Sequence, residues 1–153
     1  MPEPRILLLA LGRALEGGDA VCRAVTRLKK DFEGSVDILE APQPGTALYD
    51  VIAGYESVLI LDSVKAASET GVVLEFSTES SPAVLPTSRY AGLPESPAAA
   101  RRLGIPFPER LAILLVEPAA EATLPFLGTR AKQILEAWLD LESCQDAAVS
   151  AGV

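Results

Sequence analysis

Short continuous apolar runs alternate along the chain with stretches in which apolar residues recur every three or four positions. Residues 5–11, RILLLAL, form an apolar run between Pro4 and Gly12, as expected of a strand covered on both faces. From Asp19 to Phe32 the apolar positions Val21, Ala24, Val25, Leu28 and Phe32 fall at helical spacing. Arg23, Arg27, Lys29 and Lys30 take the other side, and Gly34 supplies a stop. The same reading predicts strands at 36–40, 57–62, 72–76 and 111–116. Short helices are predicted near 46–53 and 96–103, and a closing helix at 129–141 buries Ile134, Leu135 and Trp138. The Pro-rich stretch 41–45 reads as a loop, as does the Pro-, Ser- and Ala-rich stretch 77–108 apart from its short helix. The tail after about residue 142 is read as frayed.

Strands alternating with helices predict an α/β fold: a three-layer sandwich in which a mostly parallel, five-stranded twisted sheet carries helices on both faces. No repeat of fixed period interrupts this alternation, and residues 1–153 are read as a single domain. In such sheets ligands bind at the carboxyl ends of the strands. That rule selects Gly12 and Arg13 after the first strand, Asp62 at the end of the third and Glu117 after the fifth. Asp19 opens the first helix.

Composition narrows the function classes. Apolar residues make up 49% of the chain and charged ones 22%, a globular balance rather than a disordered one. A net charge of −8 argues against nucleic acid, whose phosphates call for clustered Lys and Arg, and against an anionic membrane surface. The first apolar run is too short to cross a bilayer and is followed at once by Arg13. Cys22 and Cys144 stand far apart with no CxxC spacing and read as reduced thiols of a cytoplasmic protein.

The chain contains no histidine, so a Ser-His-Asp triad is ruled out. The loop after the first strand lacks both GxGxxG and GK[ST], and no serine has a GxSxG context. Glu16 reads as a solvated loop charge. A lone acid in a first helical turn is most often a stabiliser worth roughly 0.3–1 kcal/mol, which is the plain reading of Asp19. Asp62, in SVLILDSV, is different, because a charge at a buried strand end is costly unless paired or liganded. Two carboxylates converging on one crevice would make either a cation site or a pair sharing a proton.

Three stretches taken together, LGRALEGGDAV at 11–21, ILE…GTALYDVI at 38–52 and VLILDSV at 58–64, resemble the hydrogenase maturation proteases. The likeness runs from Arg5 through the closing helix. It implies a twisted sheet between helices and a hydrolase, an aspartic-type endopeptidase. Such enzymes remove a C-terminal extension from the large-subunit precursor of a nickel-iron hydrogenase after nickel insertion. It further implies that the partner is that precursor, and that nickel is recognised in the substrate with no tightly bound cofactor. The catalytic and metal-facing acids carry over to Asp19 and Asp62. The family's third ligand, a His shortly before a Gly, falls near Arg89, with Gly92 following. Arg13 stands where the family has Asn after the first-strand Gly. A guanidinium cannot ligate a metal, but it pairs bidentately with carboxylates. Arg13 and Arg89 are therefore expected to neutralise the crevice acids. This leaves two functions, a divergent endopeptidase or a non-catalytic assembly factor.

Overall fold

A computed structural model describes residues 6–11, 19–41, 47–63, 73–77, 97–116 and 123–151, with side chains described at 6–10, 25–40, 50–62, 100–114 and 127–143. The elements follow in the order β1 (Ile6–Leu11), α1 (Asp19–Asp31), β2 (Asp37–Ala41), α2 (Ala47–Ile52), β3 (Ser57–Ser63), β4 (Val73–Ser77), α3 (Pro97–Leu103), β5 (Arg110–Val116) and α4 (Thr123–Ala151). Each predicted element is found, most within one residue of its expected ends.

The closing helix differs. It begins at Thr123, six residues before the expected start, and continues to Ala151 through the stretch read as a frayed tail. Pro125 lies in its first turn, where a missing N–H costs no intrahelical bond. Beyond Glu142 the run SCQDAAVSA carries three alanines, the residue with the strongest helix propensity.

Strands β2, β1, β3 and β5 form a parallel sheet in that order, and β4 joins β5 antiparallel. The continuous apolar character of β1, β3 and β5 has a direct cause, since both faces of this sheet are covered. On one face Ile6, Leu8, Leu59, Leu61 and Leu114 pack with Val25 and Leu28 of α1, Phe32 just after it, and Leu127, Leu135 and Trp138 of α4. On the other, Leu7, Leu9, Val58, Ile60 and Ile113 pack under Ile52 of α2, with Phe107 alongside. Each fully buried side chain of this size contributes about 1.5–3 kcal/mol.

Two glycines set the helix ends. Gly34 follows α1 at φ +82° and Gly104 follows α3 at φ +70°, a left-handed conformation that costs other residues a clash with Cβ. After α3 the Gly104 N–H donates to the Arg101 carbonyl and the Ile105 N–H to that of Ala100, each at 3.1 Å. This pair of bonds turns the chain sharply into β5.

The amino edge of the sheet is laced by polar groups. Arg110, opening β5, donates from Nη1 to Ser57 Oγ on β3 at 3.0 Å, and the same nitrogen lies 3.8 Å from Glu56 Oε1. The Glu56 carbonyl accepts the N–H groups of Glu109 at 2.8 Å and Arg110 at 3.1 Å. Nearby the Tyr55 hydroxyl donates to Asp37 Oδ2 at 2.6 Å, tying the approach to β3 onto the start of β2.

Candidate functional site

The path of the chain singles out one place at the opposite edge. From β1 the chain passes through α1, on the first face, to β2 on one side of β1. It then returns through α2, on the second face, to β3 on the other side. The direction of travel across the sheet therefore reverses between β1 and β3. The carboxyl ends of adjacent strands at such a reversal are where the crevice of parallel α/β sheets lies, the favoured ligand site of this class.

Asp62 stands at that crevice. It is the next-to-last residue of β3, in register with Leu11 at the end of β1 and with Leu115 of β5. It is fully buried, and among the described residues it shares that distinction with Ser57 alone of the polar and charged groups. Alternation along β3 puts Leu59 and Leu61 on the α1–α4 face and Val58 and Ile60 on the α2 face, so Asp62 belongs to the α2 face. Burial of a carboxylate at a strand end needs compensating partners, and full burial sets Asp62 apart from a solvated charge.

Asp19 is the first residue of α1. The helix returns antiparallel to β1, so its amino end, with the positive end of its dipole, stands beyond the carboxyl end of that strand. The body of α1 covers the first face, whereas Asp62 lies on the second. The Asp19 side chain lies outside those described, as do Gly12, Arg13, Arg89, Gly92 and Glu117 altogether. The expected contact between the two acids, and the expected approach of Arg13 or Arg89, fall on these residues.

Reading the sequence missed the amino-edge lacing. The sequence reading starts the fifth strand at Leu111 and the third at Ser57, and gives neither Arg110 nor the Ser57 side chain a role. The available signal was a pair of polar residues, Ser57 and Arg110, each at the head of an otherwise apolar run. Among the described residues no group of three or more His, Cys, Asp or Glu is arranged to hold a metal ion. No described helix is long and apolar enough to cross a membrane.

Among solved structures the chain is similar to a hydrogenase 2 maturation peptidase from Thaumarchaeota archaeon SCGC_AB-539-E09. The TM-score is 0.55 at 19% identity, and the likeness covers 88% of this chain and 97% of that one. It is also similar to a [NiFe] hydrogenase maturation protease, HycI, from Thermococcus kodakarensis KOD1, with TM-score 0.46, 17% identity and coverage of 89% and 90%. No family profile and no curated protein matches the chain. The chain has a hydrogenase maturation protease-like fold.

Proposed function

We propose that the chain is a divergent hydrogenase maturation endopeptidase of the cytoplasm, built as a three-layer sandwich on a five-stranded sheet. In this reading it removes the C-terminal extension of a nickel-iron hydrogenase large-subunit precursor after nickel insertion. Asp62 and Asp19 are its working acids, with Asp62 the fixed member of the pair. The observation that carries the proposal is the buried Asp62 at the carboxyl-edge crevice of a fold shared over nearly its whole length with a maturation peptidase. A carboxylate in that position serves either to polarise a water or to hold a cation against the scissile segment.

A second reading, a non-catalytic factor that binds the same precursor during assembly, is favoured by one specific feature. The chain has no histidine and so lacks the imidazole that the resemblance calls for. Incubating the purified protein with a nickel-loaded large-subunit precursor decides between them. Shortening of the precursor, read by mass, supports the endopeptidase; an intact precursor held in a stable complex supports the assembly factor. Neither cleavage nor complex would overturn both.

A further inference from the structure

The turn from α3 into β5 is apolar at its tip and cationic at its root. Leu103 is 69% exposed and Ile105 37%, on the turn closed by the Gly104 and Ile105 N–H bonds. Arg101 and Arg102 precede them, both exposed, and residues 97–108 carry no acid. In a chain of net charge −8 this is a local reversal of sign. Phe107 packs against the second-face cluster of Val58 and Leu111, which sets the turn on that side of the β3–β5 pair, where β5 begins.

The closing helix α4 carries the opposite charge past the same edge. It follows the carboxyl end of β5 and lies over β3 and β5 on the first face. By Lys132 it has reached the last residue of α1, with Lys132 Nζ 3.9 Å from Asp31 Oδ2. Residues 133–151 continue as helix for about 28 Å, and of these Leu135, Trp138 and Leu139 still serve the core. The remainder overruns the sheet, whose seven-residue strands span only about 23 Å. Leu141 on this part is 42% exposed, with exposed Asp140 beside it. Residues 133–151 include Glu136, Asp140, Glu142 and Asp146 and neither Lys nor Arg.

We infer that these two surfaces are complementary halves of one interface, joined when the amino edges of two copies of this chain meet about a two-fold axis. The axis lies along the edge, across the strands. Rotation about it exchanges the faces but keeps the order of the strands in place. The α4 end on one protomer's first-face side therefore comes over the β3–β5 pair on its partner's second-face side, where the Leu103 turn stands. Arg101 and Arg102 meet the acids around Asp140, and Leu141 is covered together with Leu103 and Ile105. The contact is made twice, as two-fold symmetry requires. A second copy is the occupant because the chain itself holds both halves, and their exposure in the single chain shows that they do not cover one another there. The crevice, at the far carboxyl edge, stays open in the pair, so the inference stands apart from the proposed function.

Sedimentation equilibrium of the full chain tests this. The unmodified protein should have the mass of two chains at high micromolar concentration and dissociate more readily as salt is raised. Arg101→Glu with Arg102→Glu, and separately Glu136→Lys with Asp140→Lys, should each weaken pairing at least ~10-fold, because like charges then face each other in both contacts. Mixing the two variants one to one should restore pairing, since the native surfaces then meet in one contact and the reversed surfaces in the other. Leu103→Ser should also weaken pairing, and its exposed position keeps folding out of the question. A monomeric unmodified chain, open assemblies larger than two, or a dimer indifferent to the reversals and to Leu103→Ser would overturn the inference, as would mixed variants that stay apart.

Discussion

Replacing Arg110 with Ala removes three things at once. Its Nη1 bond to Ser57 Oγ spans 3.0 Å and joins a charged donor to a hydroxyl on a residue that is 1% exposed; hydrogen bonds to charged groups contribute about 1.5–3 kcal/mol. The contact with Glu56 is longer, at 3.8 Å, with side chains 14% and 22% exposed, and adds about 0.2–1 kcal/mol after screening. The aliphatic stem adds a further packing loss. Arg110→Ala should therefore cost about 2–3 kcal/mol, most of it through the buried hydroxyl left without its donor. Ser57→Ala removes the acceptor as well as the orphan it would leave, so the double variant should be less harmed than the sum of the singles, by ~1 kcal/mol. Urea unfolding of the four proteins, with unchanged m-values as the check on two-state behaviour, measures this coupling. Additivity within ~0.3 kcal/mol would refute the reasoning, showing that the two side chains act independently. Asp62 lies five positions along β3 from Ser57, a span of about 17 Å at strand rise, so precursor processing by the folded Arg110 variant should match that of the unmodified chain.

Asp62→Asn should abolish processing of a nickel-loaded precursor while leaving the circular dichroism spectrum unchanged; retained processing would remove Asp62 from the proposed chemistry. Trp138→Ala, at a site 5% exposed in the α4 core, should lower stability by about 3–5 kcal/mol in denaturant titration. A Cβ added at Gly104 or at Gly54 meets nothing within 4 Å, yet Gly104 alone of the two has positive φ. Gly104→Ala should therefore cost about 1–2 kcal/mol, whereas Gly54→Ala should be neutral or stabilising by up to about 1 kcal/mol, so the thermal midpoint falls in the first variant and does not fall in the second. Arg89→His should tighten nickel binding by the isolated chain at least ~10-fold, as read by calorimetry.

The periodicity of apolar positions made the elements legible because burial on two faces leaves a clear mark. The run ILLLAL of β1 tolerates no polar residue, and the helical spacing of Val25, Leu28 and Phe32 matches the face that α1 buries. The ends of α4 were not legible: its first turn holds Pro125, which that position accepts, and the small and polar residues after Glu142 hid their alanine-driven helicity. Asp62 stood out from the sequence as a charge ending an apolar strand. Which face it occupies did not, because the parity of a strand buried on both sides is silent until the helices are placed. The Ser57–Arg110 bond joins residues 53 positions apart, a pairing set by the register of β3 and β5 and absent from any local pattern.

The central place of β3 also has a kinetic meaning. With β1 and β5 bonded along its two edges and apolar clusters on both faces, its amides have no exposed side from which to open. They should exchange with solvent only when the whole domain unfolds, whereas those of β2, flanked in the sheet by β1 alone, open through smaller fluctuations. A carboxylate carried at the end of the slowest-opening strand inherits that permanence. Its whereabouts are set by the stability of the entire fold, so substitutions far away, in the α1–α4 core, should register at the crevice as a change in how often the site exists at all rather than in its shape.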